Sequence, residues 1–263
     1  MLADAQAQLH RPSEDWSAAR RVLMARQPAG MLSAMPDRTH DVASSAELRT
    51  ALGSAPSIGG AVLLVGGADV ASAADLERIR AFVAALVAMA QRSGMAIVDG
   101  GTDSGVMRLI GEEREARGAT FPLVGVVPRG ALERTTRSGQ RINTAPGHSH
   151  ILLVPGSEFG DEIEWLFAAA DHLAGASAPT LVVNGGDMTM VEARMRIDLG
   201  HPVVAVEGSG RAADELAADA SLRGSGRLRL IGLDADEDEL AAIINPLAGR
   251  RADEGIKLEG GGR

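Results

Sequence analysis

The sequence contains no cysteine, which excludes disulfides, thiolate catalysis and zinc–thiolate sites. Aromatic residues make up only 2% of its 263 residues and tyrosine is absent, so aliphatic residues and methionine must build the core. Acidic residues outnumber basic ones, and the formal net charge of −9 argues against a general nucleic-acid-binding surface. We see neither a signal peptide nor an apolar run long enough to span a bilayer, and we therefore expect a soluble, cytoplasmic protein with no membrane partner.

Short apolar runs and helix-length amphipathic segments alternate from Gly60 onward. The runs are apolar throughout, as is typical of strands that are buried on both faces of a parallel sheet. They predict an α/β protein with a Rossmann-like three-layer fold and a mostly parallel sheet of about seven strands. The runs cover residues 61–67, 96–101, 123–130, 150–156, 180–186, 202–210 and 227–233.

The same pattern predicts the domain organisation. Residues 58–246 form the Rossmann-like nucleotide-binding domain, residues 1–57 an N-terminal helical extension with a helix over 14–26, and residues 247–263 a flexible tail. Within the domain, apolar residues at spacings of three and four predict a helix over 75–93, which ends before Gly94. Acidic residues in a first turn predict a second helix over 161–173.

Four glycine-rich loops follow the predicted strands and supply the candidate ligand-binding residues. In an open parallel sheet, ligands bind at the carboxyl ends of the strands, where loops lead into helix N-termini. Glycine lets backbone N–H groups approach a phosphate, and the following helix adds the positive end of its dipole. The loop residues suited to a phosphate or a sugar are Gly100, Gly101, Thr102, Ser104, Gly105, Gly156, Gly160, Gly185, Gly186, Thr189, Gly208, Ser209, Gly210 and Arg211.

Charged side chains in these loops have more than one interpretation. Glu162 and Glu164 stand near the start of a predicted helix, where they can bind ribose hydroxyls, act as acid and base, or only cap and solvate the first turn. Arg211 can hold a phosphate through two parallel hydrogen bonds or lie in solvent beside a turn. Asp187 would repel a phosphate unless its side chain turns away or meets a ribose.

Two familiar nucleotide-binding motifs are missing. The first strand is not followed by GxGxxG, and the chain has no GxxxxGK[S/T], so a standard dehydrogenase or P-loop NTPase is disfavoured. His148 and His150 flank a single residue at a strand entrance, but two histidines alone make a poor metal site. We therefore predict no bound metal and no required cofactor.

Three segments carry a family resemblance: GGTDSGVMRLIGE, GHSHILLVPGSEFGDEIEW, and NGGDMTMVEARMRIDLGHPVVAVEGSGRAADELA. In this order they resemble the prokaryotic LSDAT proteins of the SLOG superfamily. Those proteins are relatives of the N-terminal nucleotide-sensing region of melastatin-type transient receptor potential channels. The resemblance runs from about Gly60 to Ala218, and EGSGR-x-AD is its most specific match.

The resemblance implies a Rossmann-like fold that binds ADP-ribose, NAD or a related nucleotide, and it assigns roles to three groups of residues. Residues of the first segment would line the nucleotide, two residues of the second would lie near ribose or phosphate, and the EGSGR segment would hold a phosphate. In that order the residues are Gly101, Thr102, Ser104, Gly105 and Met107; Gly160 and Glu162; and Gly208, Ser209, Gly210 and Arg211. Glu207, the first residue of the EGSGR segment, is a further candidate ligand-binding residue.

The leading hypothesis is a sensor domain for a nucleotide derivative such as ADP-ribose, NAD or cyclic ADP-ribose. A first alternative is a nucleoside-monophosphate phosphoribohydrolase, in which Glu164 or Glu162 would act in catalysis. The enzymatic relatives carry PGG-x-GT-x-x-E, whereas here PGSEFGDEIE has Asp161 in place of the threonine. A second alternative is an oligomeric scaffold with a degenerate pocket, and a homodimer is compatible with every one of these hypotheses.

Overall fold

Eight parallel strands form one sheet in the computed structural model, which describes residues 38–53, 59–67, 72–135, 139 and 141–248. The prediction of a mostly parallel Rossmann-like sheet is therefore confirmed, with one strand more than expected. Strands β3, β4 and β6 are buried at every position, which explains why their apolar runs do not alternate. The strands are β1 (Thr39–Asp41), β2 (Ala61–Gly67), β3 (Ala96–Asp99), β4 (Leu123–Pro128), β5 (His150–Val154), β6 (Thr180–Asn184), β7 (Val203–Glu207) and β8 (Leu228–Gly232).

Helices cover both faces of the sheet. Side chains of β2 alternate between two cores: Leu63 and Val65 point to one, and Val62 and Leu64 to the other. In order, the described helices are α1 (Ser45–Gly53), α2 (Ala73–Ser93), α3 (Gly105–Ala116), α4 (Ile163–Ala174), α5 (Asp187–Asp198), α6 (Arg211–Ala218), α7 (Ala220–Arg223) and α8 (Glu237–Ile244), with a 3-10 helix at Arg129–Glu133. Residues of α1, α4, α5 and α6 join the first core, and residues of α2, α3 and α8 join the second.

The order of the strands creates a switch point at the centre of the sheet. The order is β1-β5-β4-β3-β2-β6-β7-β8, so the chain steps outward from β2 to β5 and then returns to place β6 on the other side of β2. The helices that follow β2 and β6 consequently lie on opposite faces. Such a point opens a crevice at the carboxyl ends of the two strands, where ligands bind in open α/β sheets.

Two sequence predictions need adjustment. The boundary at residue 58 lies too late, because β1 and α1 belong to the same compact unit as the rest of the sheet. Helix α4 begins at Ile163 rather than at 161, since the carboxylate of Asp161 accepts the backbone N–H groups of Ser157 and Glu158 and closes the preceding turn instead. The predicted helix over 14–26 and nearly all of the predicted tail lie outside the described residues. Among the described helices, none is long and apolar enough to cross a membrane.

Candidate functional site

The four glycine-rich loops follow β3, β5, β6 and β7, and lead into α3, α4, α5 and α6 at the carboxyl edge of the sheet. None of these four helices carries a side-chain N-cap. The other described α-helices do, and their capping residues are Ser44, Ser72, Asp219 and Asp236. The four helices without a side-chain cap are therefore those that follow the glycine-rich loops. At their N-termini the helix dipole favours an anion.

Asn184 and Ser209 join the loops that follow β6 and β7. Asn184 has a left-handed φ of 53°, and its backbone N–H donates to Oγ of Ser209 at 2.7 Å. Its Nδ2 donates to the carbonyl of Ser209 at 2.6 Å, and its Oδ1 accepts the N–H of Gly185 at 2.7 Å. Both side chains are buried. These bonds fix the position of the loop after β6 relative to the loop after β7 at the carboxyl edge of the sheet.

The guanidinium of Arg211 lies beside Gly186, the second glycine of the loop after β6. A Cβ atom on Gly186 would lie 2.6 Å from Nη2 of Arg211, so a larger residue at this position would displace the guanidinium. Arg211 itself has a φ of 50°, and it is one of two non-glycine residues with positive φ among the residues described. Its exposed side chain forms no hydrogen bond or ion pair within the described part of the chain. A strained backbone with an unpaired guanidinium is typical of a binding position.

A cleft of about 210 Å³ opens beside Arg211. We call it the β6–β7 cleft, and its lining residues are Gly185, Gly186, Asp187, Met190, Arg211, Ala212 and Glu215. The two carboxylates and the single guanidinium make it a mixed site, suited to a ligand that carries both an anionic group and hydroxyl donors.

The predicted phosphate nest at Gly208, Ser209 and Gly210 is partly occupied by the protein itself. The N–H of Gly208 donates to Oδ1 of Asp214 at 2.7 Å. The N–H of Ser209 donates to the carbonyl of Val206 at 3.2 Å. Two donors of the nest are therefore already satisfied, and Arg211 is the residue of this segment that faces the cleft. Glu207 is exposed at the end of β7.

The loop after β3 is held from below by a buried pair. Oδ1 of Asp99 accepts the N–H of Gly101 at 2.8 Å and lies 2.9 Å from Nε2 of His148. Above them, the hydroxyls of Thr102 and Ser104 lie 3.3 Å apart. The sequence indicated both hydroxyls but missed Asp99 and His148 as the residues that position the loop.

Further residues of this loop pack against one another. A Cβ on Gly100 would lie 3.0 Å from the sulfur of Met107, and that sulfur lies 3.6 Å from the hydroxyl of Thr102. The loop stands on β3, which β2 separates from β6 in the sheet. The first loop and the β6–β7 cleft therefore lie at different places along the same edge.

A pair of buried glutamates lies between α4 and α5. Glu162 is 7% exposed, and its carboxylate accepts the N–H of Gly160 at 2.7 Å; burial nonetheless raises its pKa. Glu192 is 8% exposed, and burial together with the neighbouring charge of Glu162 raises its pKa to about 8. Glu164, by contrast, is exposed on α4.

Sequence reasoning missed Glu192. The signal for it was the spacing of three between Thr189 and Glu192, which puts both side chains on one face of α5. Thr189 is buried against Gly185. Of the two predicted glycines of the β5–α4 loop, Gly156 packs against Asp161 of the same loop, and Gly160 approaches Met188 of α5.

Residues 60–243 match the family described as "SLOG in TRPM, prokaryote", or LSDAT_prok. The chain belongs to this family. The match spans all four loops and every described strand except β1, so the family accounts for the site as well as for the sheet. A comparison with curated proteins gives no match.

The solved structure of TM1055 shares the fold of this LSDAT_prok protein, and two further solved structures are similar to it at lower TM-scores. The X-ray structure of TM1055 covers 71% of this chain and 99% of its own, with a TM-score of 0.50 and 20% identity. The match to the molybdenum cofactor binding protein from the phototrophic bacterium Rippkaea orientalis covers 71% of this chain and 94% of that protein, with a TM-score of 0.47 and 15% identity. The match to the molybdenum cofactor carrier protein MCP from Chlamydomonas reinhardtii covers 72% of this chain and 97% of that protein, with a TM-score of 0.48 and 20% identity.

Proposed function

We propose that the chain is a cytoplasmic binding domain for a phosphate-bearing nucleotide derivative such as ADP-ribose, NAD or cyclic ADP-ribose. The observation that carries the proposal is the unpaired guanidinium of Arg211, which lies over Gly186 at the N-terminus of α5, a helix end without a side-chain cap. A phosphate placed there accepts hydrogen bonds from the arginine and lies in the positive end of the helix dipole.

The carboxylates of the cleft favour a nucleotide over a free phosphate. Asp187 and Glu215 line the same cleft as Arg211, and would repel an isolated anion. Each can instead accept a ribose hydroxyl, so a ligand with phosphate and sugar satisfies all three charged groups. This combination explains why an acidic residue stands beside the glycine pair.

The size of the cleft indicates how much of the ligand it holds. Its volume of about 210 Å³ is smaller than the roughly 300–1,000 Å³ of complete small-molecule sites. We therefore assign the phosphate and its ribose to the cleft and the remainder of the ligand to the switch-point crevice. There, Gly67 and Gly185 are close neighbours, since a Cβ on Gly67 would lie 3.8 Å from Cα of Gly185.

Isothermal titration of ADP-ribose, NAD and AMP into wild type, Arg211→Ala and Arg194→Ala tests the proposal. A charge-assisted phosphate contact contributes about 1.5–3 kcal/mol, so Arg211→Ala should bind roughly ten- to a hundredfold more weakly. Arg194 is an exposed arginine of α5 that does not line the cleft, and its variant should bind like wild type. Absence of heat from every nucleotide, or equal losses in both variants, contradicts the proposal.

The glutamate pair favours a second candidate function, hydrolysis of the N-glycosidic bond of a nucleoside monophosphate. Both carboxyl groups are buried, and two carboxyl groups in one site can divide the roles of acid and base. In this reaction a water molecule adds to the anomeric carbon and the bond to the base breaks. The electron pair and a proton then go to the base, which leaves free base and ribose 5-phosphate.

In that candidate reaction, Glu192 would hold the proton and Glu162 would stabilise the developing positive charge on the sugar. Chromatography of AMP incubated with the protein tests the assignment. We expect adenine release by wild type and by Glu164→Gln, whose side chain is exposed, and at least a hundredfold slower release by Glu192→Gln. Absence of released base from a panel of nucleoside monophosphates rejects the enzymatic function and leaves binding intact.

A further inference from the structure

The large apolar side chains that remain exposed in the described residues belong to one patch. Four of them occur at spacings of three, four and four along α5 and its C-cap residue, which places them in a single stripe on the helix. The fifth is in the loop before α4. Their exposed fractions range from 36% to 61%, and we call them the α5 patch: Phe159, Met188, Val191, Met195 and Leu199.

The β5–α4 loop extends the stripe beyond the helix. A Cβ on Gly160 would lie 3.3 Å from Cε of Met188, so the loop that carries Phe159 passes directly beside the first residue of the stripe. The patch is therefore continuous across two segments that are distant in sequence. Contiguous apolar surface of this kind marks an interaction site, whereas isolated exposed apolar residues need no explanation.

We propose that the α5 patch is the contact of a homodimer, in which α5 packs antiparallel to α5 of a second copy about a two-fold axis near Val191. In this register Val191 lies opposite itself, and Met188 lies, within one residue, opposite Met195 of the second copy. A two-fold contact requires a surface that matches itself in this way. The proposal goes beyond nucleotide binding and shares one residue with it, Asp187, which also lines the β6–β7 cleft.

The charges beside the stripe specify the second copy as the occupant. Asp187 and Arg194 are seven residues apart and hence lie on the same side of α5. The antiparallel register brings Asp187 of one copy, within one residue, opposite Arg194 of the other, and the two-fold axis makes this pair twice. A parallel arrangement would instead place like charges against each other.

Arg194 is available for this exchange. Its present partner is Asp219 at 3.3 Å, and the two side chains are 51% and 26% exposed. Such an exposed pair contributes little to stability and can be replaced by an intermolecular one.

Sedimentation velocity of the full chain across a concentration series tests the contact. We expect wild type to sediment as a dimer and Val191→Glu to raise the dimer dissociation constant at least about tenfold, because two carboxylates would meet on the two-fold axis. Ala116→Glu adds the same charge to an exposed position of α3, on the opposite face of the sheet, and should remain dimeric. If Val191→Glu loses the far-ultraviolet circular dichroism of wild type, Met195→Lys replaces it.

Charge exchange tests the register. Asp187→Arg and Arg194→Asp should each weaken the dimer, and the double variant should recover most of the lost affinity. Asp219→Asn removes the existing partner of Arg194 and should not weaken the dimer. Losses that add up in the double variant would overturn the antiparallel register.

Two results would overturn the dimer itself. One is a wild type that sediments as a monomer at every concentration, and the other is a dimer that Val191→Glu leaves intact. Peroxide oxidation of Met188 and Met195 identifies the alternative occupant in the first case. Protection of both methionines in a monomer would mean that another segment of the same chain covers the patch.

Discussion

Nε2 of His148 lies 2.9 Å from Oδ1 of Asp99, and neither side chain has any exposed surface. Burial alone lowers the pKa of His148, but the charge of Asp99 and their hydrogen bond outweigh it, so the pKa is raised above its usual value of 6.5. Oδ1 of Asp99 also accepts the N–H of Gly101, so this pair connects the loop after β3 to the segment before β5.

The raised pKa of His148 predicts how stability depends on pH. A histidine that binds its proton more tightly in the folded state stabilises the fold fully below pH 6.5, and this contribution is lost as the pH rises through the raised pKa. We expect the free energy of unfolding of wild type, relative to His148→Gln, to be largest below about pH 6 and to decrease at alkaline pH. Urea unfolding at a series of pH values measures the difference.

The glutamine of this variant places an amide donor where Nε2 stood, but it does not titrate. His148→Leu removes the donor, and should cost about 3–5 kcal/mol because Asp99 stays buried without it. A pH-independent difference between wild type and His148→Gln would show that the histidine carries no proton in the folded state.

Glu192 predicts the opposite trend. Its pKa of about 8 in the fold exceeds the usual 4.5, so keeping it buried destabilises the fold increasingly as the pH rises from 4.5 to about 8. We expect Glu192→Gln to be more stable than wild type at pH 7 by on the order of 2 kcal/mol, and equally stable near pH 4. Unfolding by urea at both pH values checks the prediction.

Glu164→Gln provides the matched control because this glutamate is exposed. It should change stability by less than about 0.5 kcal/mol at either pH. An equal gain in the two variants would contradict a specific cost at Glu192 and would indicate a general effect of net charge.

The strands were predictable because a parallel sheet buries both faces of each strand, which leaves an apolar run in the sequence. Strand β1 escaped prediction because its three residues, Thr-His-Asp, are only partly buried at the edge of the sheet and form no such run. The four loops were predictable from glycine, since the sheet order requires them to meet at one edge.

The side-chain partners of the site could not be predicted in the same way. Asp214 fills part of the predicted phosphate nest, and the N–H that it binds lies six residues away. His148 meets Asp99 across a separation of 49 residues. Such pairs leave no local period in the sequence. A start of α4 only two residues later than expected leaves Glu162 buried beside the helix and Glu164 in solvent.

Substitutions of Arg211 should affect stability and ligand binding differently. Its φ of 50° is unfavourable for any residue with a Cβ and costs glycine little. We expect Arg211→Gly to be more stable than Arg211→Ala by about 1 kcal/mol in urea unfolding, while both variants lose the same nucleotide affinity. Arg194→Gly, at a helix-interior position, should instead be less stable than Arg194→Ala by about 1 kcal/mol. A less stable Arg211→Gly would show that the positive φ is not retained in solution.

The close packing around Gly125 predicts that a larger residue there changes stability and the position of the loop after β3. A Cβ at this position of β4 would lie 2.5 Å from Cα of Gly101 and 3.1 Å from Cδ2 of His148. We expect Gly125→Ala to destabilise the protein by about 1–3 kcal/mol and to shift the loop after β3, because no backbone atom beside it can move freely. Gly232→Ala is the control, since its Cβ would meet no atom within 4 Å. Equal stability of the two variants would contradict the prediction and would mean that the loop after β3 shifts without cost.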